Sequence, residues 1–418
     1  MPGSITAGFL AIVAASSLIM SGYAAPTFQQ IGNTLVMSNG NVRLEYNLTA
    51  GTTDFYWSNS KKISAFYSGV TLDTGYIKGI NYSSRTYAVT SSNQVVVTAT
   101  GSGLPTMKQY FTLDQNDSFL TRVDVSGSNL KANWVGPVVM DTTGGVNLGI
   151  TNDNRALVVP FDNDGFVRYN AMPMNSSATS YEVGAFYDNT SRNGLVVGSV
   201  THDTWKTGIF FVGANNKLNA LNVFGGATTS ADVAPHGFVS GNTVSSPTIF
   251  VGFGADWRVT MDNFAAANTN FAPRLSWMNG VPFGWNSWGV IQETISYTDA
   301  IAISDYFYVN LMNNNFVSGG TVYINLDAFW NDNLTPTQLQ SFVNHCHAKG
   351  QKSGIYFGPF VFFGSANDAT NWVVEGTTNT YHYSDVLLRD ANEILNRATA
   401  AWPWIQRIPG QNSGSVIM

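Results

Sequence analysis

The chain has 418 residues, 20 basic and 26 acidic, a net charge of −6 and only 11% charged side chains, less than half the ~25% of an average soluble domain. With 44% apolar residues and a mean hydropathy of −0.01 it is not a disordered polyelectrolyte. An acidic balance with a pI of 5.3 excludes the clustered Lys and Arg that a nucleic-acid partner requires. What replaces charge is 40 Gly, abundant Asn, Ser and Thr, and 11 Trp, 18 Tyr and 26 Phe. Neutral hydrogen-bonding groups beside aromatic faces suit neutral, hydroxyl-rich ligands. At ~150 residues per domain the length predicts two or three domains.

The first segment reads as an export signal. Ile5 to Met20 is apolar and small, and Ser21-Gly22-Tyr23-Ala24-Ala25-Pro26 follows, so Gly22 and Ala24 fit a cleavage site after Ala24. Residues 1–24 are therefore expected to be a signal peptide and the protein to be secreted, extracellular or periplasmic. No Lys or Arg precedes the apolar run, which leaves a short membrane anchor as the alternative. After Ala25 no apolar run approaches the ~20 residues of a spanning helix, so no membrane contact is expected after cleavage. The single Cys346 permits no intrachain disulfide. Export without disulfides points to a bacterial source.

From Thr27 to Pro247 the sequence is written in short strands. Asn41-Val42-Arg43-Leu44-Glu45-Tyr46 alternates with period two, and β-prone runs recur at Gln94 to Thr98, Gln109 to Leu113 and Phe119 to Val125. Turn residues punctuate them at Ser38-Asn39-Gly40, Gly101-Ser102-Gly103 and Gly213-Ala214-Asn215-Asn216. This predicts an antiparallel β-sandwich domain over 25–270 with no long amphipathic helix before Pro247.

After about Asn270 the rhythm changes. Val281 to Trp285 reads as a short buried strand, and Tyr297 to Met312 as a helix capped by Ser296 or Thr298. Thr321 to Leu326 reads as a strand. Thr335 to Ala348 reads as a helix with Thr335 as N-cap, Pro336 at its first position and Gly350 beyond its end. Gly354 to Phe357 reads as a third strand. Strand–helix–strand–helix–strand predicts βαβ units in a parallel sheet.

Three motifs carry a resemblance. Phe283-Gly284-Trp285-Asn286-Ser287-Trp288 is followed about forty residues later by Tyr323-Ile324-Asn325-Leu326-Asp327-Ala328-Phe329-Trp330, and then by Lys349-Gly350-Gln351-Lys352-Ser353-Gly354-Ile355-Tyr356. In this order they resemble the first three strands of the catalytic barrel of α-galactosidase-type glycoside hydrolases of families 27 and 36. The resemblance covers roughly Asn270 to Asp390. Pro160-Phe161-Asp162-Asn163-Asp164 and Trp205-Lys206-Thr207-Gly208 bear a looser likeness to the N-terminal domain of some members. The fold it implies is multidomain β plus α/β: an N-terminal antiparallel β-sandwich, then an incomplete (β/α)₈ TIM barrel over 271–390. The partner it implies is an oligosaccharide or polysaccharide, with no cofactor and no metal.

Functional groups of such barrels stand at the C-terminal ends of strands. There Trp285 would line the sugar pocket, Asp327 would grip vicinal hydroxyls, and Trp330 and Tyr356 would add aromatic and hydroxyl contacts. Where many relatives have a second Asp this chain has Ala328. The plainer alternatives are core packing for Trp285 and Trp288 and a strand-end cap for Asp327. Asp162 and Asp164 read as an Asx turn. His345-Cys346-His347 on a helix point in different directions and are not expected to bind a metal. No Gly-x-Ser-x-Gly elbow supports serine hydrolysis.

The family's chemistry needs a nucleophile and an acid/base carboxyl ~5 Å apart, supplied in the family from strands four and six. From Phe283 to Met418 run 136 residues, against at least ~200 for a barrel. A fourth strand start is readable near Ser384 to Leu388, but the family's Lys-x-Asp strand end is absent. No catalytic residue is therefore assigned. Family members often carry Leu-Asp-Pro-Thr-His-Pro-Gly-Thr-Lys shortly afterwards. Here stands Trp404-Ile405-Gln406-Arg407-Ile408-Pro409-Gly410-Gln411-Asn412, whose codons permit that text after a slip of one nucleotide. Residues 391–418 are thus expected to be an out-of-frame tail and the chain to be inactive. The alternative function is a non-catalytic carbohydrate-binding or surface protein.

Overall fold

The computed structural model describes residues 25–113, 117–143, 145–149, 153–161, 169–228, 237–277, 281–357, 361–362, 364–374, 376–378, 380–389 and 416–417. The expected signal peptide, Asp162, Asp164 and nearly all of the expected out-of-frame tail lie outside the described residues. The chain forms two compact units, Met1–Pro273 and Arg274–Met418. No helix among the described residues is long and apolar enough to cross a membrane.

Among the described residues the first unit is almost wholly antiparallel β-structure, with nineteen strands joined by one hydrogen-bond network. The alternation read at Asn41 to Tyr46 is seen directly: in strand Val42–Asn47, Val42, Leu44 and Tyr46 are buried and the residues between them are not. The predicted runs fall on strands Gln94–Thr100, Thr106–Thr112 and Ser118–Met140, with Leu113 one residue beyond the second.

Ser118–Met140 organises this unit. Its first part pairs with Thr106–Thr112 on one side and with Ile249–Gly254 and Val239–Ser245 on the other. Its last part pairs with Ser60–Leu72 and Lys217–Gly225. The register shifts between Ser126 and Leu130, where Asn129 takes φ +51°. One strand thereby belongs to two layers. Between them lies one shared core. Leu35, Leu44, Phe55, Phe66, Phe211 and Val223 enter it from one layer; Val97, Phe111, Phe119, Phe186, Val197 and Phe253 enter from the other. The result is a sandwich.

One helix was not legible in the strand-rich text. Trp257–Asn268 is opened by Asp256, whose carboxylate accepts from the Arg258 backbone N–H. It lays Trp257, Met261 and Phe264 on Tyr187, Val196 and Phe250.

The second unit is built on three parallel strands, β1 (Gly284–Asn286), β2 (Tyr323–Leu326) and β3 (Lys352–Ile355), joined by helices α1 (Tyr297–Tyr306) and α2 (Pro336–Ala348). Trp285 pairs in register with Ile324, and Ile324 with Ser353. Both helices start where their sequence signals say. Ser296 and Asp299 form a reciprocal capping box on α1, and Thr335 and Gln338 form one on α2 with Pro336 in the first turn. Gly350, at φ +69°, follows α2 in the left-handed region that ends a helix cheaply only with glycine. Val322, Ile324, Leu326, Ala300, Phe307, Phe342 and Cys346 form the core between sheet and helices.

Several expected boundaries move. The first strand begins only at Gly284, and Val281 is 71% exposed. The third strand runs from Lys352 to Ile355, earlier than read. The helix expected to reach Met312 is α-helical only to Tyr306; Phe307–Leu311 widens into a π-turn and Met312–Asn314 tightens into a 3₁₀ turn. The fourth strand start expected at Ser384 to Leu388 is instead a helical turn, Tyr383–Val386. His382 precedes it, its backbone N–H held by the Asp385 carboxylate. Of the apolar residues of that run, Leu387 packs with Phe362, Ala369 and Tyr383, while Val386 and Leu388 are exposed.

Phe119 is fully buried, with ring centroids 5.2 Å from Phe55 and 6.4 Å from both Phe66 and Phe111. Phe119→Ala is expected to cost about 3–5 kcal/mol in urea unfolding of the first unit. A loss below about 1 kcal/mol would contradict a single core shared by both layers.

Candidate functional site

The chemistry-bearing residues of the second unit gather where the three parallel strands end. β1 gives way to Asn286-Ser287-Trp288, β2 to Asp327-Ala328-Phe329-Trp330, and β3 to Tyr356-Phe357.

Asn286 organises this end. Its Oδ1 accepts from the Trp288 backbone N–H at 2.8 Å, capping the turn Ser287–Gly289. That fixes which end of the amide is nitrogen, and Nδ2 donates to Asp327 Oδ2 at 2.9 Å. Ser287 is fully buried, and its Oγ accepts the Asp327 backbone N–H at 2.9 Å. Asp327 Oδ1 accepts from the Ala328 backbone N–H at 2.8 Å. The carboxylate is thus aimed by two donors while its two oxygens offer about four acceptor positions. It is half-buried and can accept further hydrogen bonds from ligand hydroxyls.

Trp330 and Tyr356 are joined to this end by the chain itself. The Trp330 indole N–H donates to the Tyr356 carbonyl at 2.8 Å, and the Tyr356 backbone N–H donates to the Leu326 carbonyl at 2.7 Å. The indole nitrogen is therefore engaged in holding β2 and β3 together, whereas the Tyr356 side chain is 42% exposed.

Trp285 is placed differently. It shares a sheet face with Ile324, and its half-buried ring packs on the core beneath the helices. The structure brings Asp327, Trp330 and Tyr356 together and leaves Trp285 to packing.

A further aromatic surface comes from exposed Trp288, stacked on half-buried Phe329. Trp288 is 37% exposed, and the two rings lie 6.3 Å apart and within 10° of parallel. Phe329 is held at φ +70°, a left-handed conformation that costs a bulky residue roughly 1–3 kcal/mol and concentrates at functional sites. Asn286, Ser287 and Phe329 were not singled out from the sequence. The Asn-Ser-Trp step was the available signal for the first two, since Asn before a turn is a natural cap.

The His345-Cys346-His347 run resolves into three environments. His345 Nε2 lies 2.8 Å from Asp305 Oδ1, and Lys349 Nζ lies 3.0 Å from the same oxygen. Cys346 is buried beside Ser304, and burial pushes its thiol pKa up. His347 is exposed. Among the described residues no group of three or more His, Cys, Asp or Glu is placed to hold a metal.

Comparison of the sequence with protein families and with curated proteins gives no match. Among solved structures the chain is similar to a β-arabinopyranosidase (TM-score 0.51, 11% identity, covering 76% of this chain and 54% of that one). It is similar to the α-N-acetylgalactosaminidase NagBb from Bifidobacterium bifidum (TM-score 0.53, 9% identity, 94% and 64%). It is also similar to a glycoside hydrolase family 97 enzyme from Pseudoalteromonas sp. strain K8 (TM-score 0.50, 11% identity, 79% and 53%). The chain spans between about half and two thirds of the length of these structures. The likeness is one of fold, and these three proteins are glycoside hydrolases.

Two outcomes test this geometry. Ser287→Ala leaves the buried Asp327 backbone N–H without its acceptor and is expected to cost about 1–3 kcal/mol in chemical unfolding. An unchanged midpoint would mean that water replaces the hydroxyl. Asp305 is held below the usual carboxylate range first by hydrogen bonding from Lys349 and then by His345. Its stabilising effect is therefore present above the unfolded pKa of ~3.9 and fades as pH falls through the lower folded value. Asp305→Asn should lower stability at pH 7 by no more than ~1 kcal/mol, since the pair is half exposed. The gap to wild type should close below about pH 4; a gap independent of pH would refute the ion pair.

Proposed function

We propose that this chain is a carbohydrate-recognising protein of α-galactosidase type, whose second unit holds a terminal galactose or a similar sugar at the ends of β1, β2 and β3. The observation that carries this reading is the Asp327 carboxylate, aimed by Asn286 and the Ala328 backbone N–H at the end of a parallel strand, with Tyr356 and Trp288 exposed around the same end and Phe329 stacked on Trp288. A carboxylate that keeps free acceptor positions suits vicinal hydroxyls, and aromatic faces suit the C–H face of a sugar ring. The order and spacing of the three motifs, and a fold shared with glycoside hydrolases, support the same class.

In the family that the motifs resemble, hydrolysis retains configuration through a nucleophilic carboxylate and an acid/base carboxyl. No Lys-x-Asp occurs in this sequence, and Asp327 accepts from Asn286 Nδ2 and the Ala328 backbone N–H. The reading is therefore binding with little or no turnover. It includes export, supported by the apolar run Ile5 to Met20 and the small residues Gly22 and Ala24.

The test is calorimetric titration with methyl α-galactoside, alongside hydrolysis of p-nitrophenyl α-galactoside. Saturable binding is expected, weakened roughly tenfold or more by Asp327→Ala, because hydrogen bonds to a charged group are each worth ~1.5–3 kcal/mol. Release of nitrophenol is expected to stay at background. A titration in which Asp327→Ala weakens no galactoside binding event would overturn the assignment of the site, and turnover would overturn the reading of this chain as a binder.

A further inference from the structure

One face of the sandwich, turned away from its core, carries a cleft whose lining differs from an ordinary solvated sheet. In strand Ser60–Leu72, Phe66, Val70 and Leu72 enter the cores, so Tyr67, Gly69 and Thr71 face the other way. The neighbouring strands line up in rows across that face. Thr71 stands between Tyr76 and Trp134, Gly69 between Lys78 and Gly136, and Tyr67 opposite Val139, which pairs with Asn222.

The middle row has two adjacent glycines, whose missing side chains make room for neighbouring rings. The rings from the first row lie over it. A Cβ on Gly69 would stand 2.6 Å from Tyr76 Oη, and one on Gly136 would fall inside the Trp134 indole. Trp134 meets Tyr76 edge-on at 5.7 Å and stacks on Phe224 at 5.1 Å. The open cleft bounded by these rings has a volume of about 430 Å³, within the ~300–1,000 Å³ usual for small-molecule sites.

Its polar groups are arranged as a neutral set. Asp141 Oδ2 accepts from Tyr67 Oη at 2.9 Å and lies 3.7 Å from Lys78 Nζ. Burial and the Asp141 carboxylate push the Tyr67 phenol up to about 12, so it remains a donor across the physiological range. No hydrogen bond reaches Asp141 Oδ1 among the described residues, and Asn222 Oδ1 is buried without a partner there. A bound anion would meet Asp141 and a bound cation would meet Lys78. What fits both is an uncharged molecule with hydroxyls that donate and accept, and a C–H face for the rings.

We propose that this cleft is a saccharide-binding site on the sandwich, separate from the strand-end site of the second unit. It takes a neutral mono- or disaccharide, one ring against Trp134 and Tyr76 and its hydroxyls on Asp141, Lys78 and Asn222. The site rests on the first unit alone and does not depend on the reading of Asp327.

The experiment is calorimetric titration of the full chain with methyl α-galactoside, methyl α-glucoside, melibiose and maltose, repeated on Trp134→Ala, Asp141→Asn and Asp327→Ala, with circular dichroism to confirm folding. Asp141→Asn keeps the shape of the side chain and covers the case in which Trp134→Ala does not fold. At least one of the four sugars is expected to show a binding event that Trp134→Ala and Asp141→Asn each weaken about tenfold and that Asp327→Ala leaves unchanged. That result supports this site whether or not a second event, sensitive to Asp327, is present. The proposal is overturned if none of the four sugars binds, or if every binding event survives both sandwich variants. Binding lost only in Asp327→Ala would overturn it while sustaining the strand-end site.

Discussion

The first unit depends on one strand being shared by two layers. Ser118–Met140 can serve both because it bends where its register slips, between Ser126 and Leu130, with Asn129 in the left-handed region. Asn tolerates that conformation better than most residues. The strand's two ends then obey different partners, and the residues flanking the slip decide which layer each end joins. The two layers are thereby tied covalently as well as by burial. That accounts for a core in which aromatic rings from both sides, Phe55, Phe66, Phe111 and Phe119, lock together without any disulfide.

Scarcity of charge has a structural counterpart. Work often given to ion pairs is here done by neutral groups at strand and helix ends. Asn286 orients Asp327, Ser296 and Thr335 open the two helices, and Gln351 bonds Ser304 through both ends of its amide across the α1–α2 contact. Neutral caps lose little to salt screening, and they stand beside carboxylate caps such as Asp256 and Asp299. Asp327 and Asp141 are both half-exposed acceptors beside aromatic rings, one at the end of a parallel sheet and one on the face of an antiparallel one.

What the sequence made legible followed the strength of its local signals. Period-two alternation at Val42, Leu44 and Tyr46 and the capping signals at Ser296 and Thr335 needed no tertiary information, and each element begins within a residue or two of where it reads. The parallel order of β1, β2 and β3 was legible from the helices between them. Boundaries set by packing were not. Val281 looks like strand but is exposed, while Ser384 to Leu388 has strand-like apolar residues but turns helical behind the Asp385 carboxylate. At the site, residue types were legible and orientations were not. Nothing in the string separates Trp285, which packs inward opposite Ile324, from Trp288, which stays at the surface. The meeting of Gly69 and Gly136 was invisible for a related reason: two glycines 67 positions apart become neighbours only through strand register.

The strand Ile249–Gly254 has a consequence for the making of this protein. It lies between Ser118–Thr121 and Gly194–Ser199. Among the described residues it is the ladder by which Gly194–Ser199, Val183–Asp188, Asn154–Val158 and Asn170–Pro173 reach the rest of the unit. A ribosome delivers it last of the nineteen. At ~5–20 residues per second, strands made early wait several seconds with open edges for a partner not yet translated. The exposed rims of a growing chain are the sites where sheets pair with the wrong neighbour. The burden of keeping this protein soluble therefore falls on the interval before its keystone strand emerges, and on whatever chaperone covers those rims until it does.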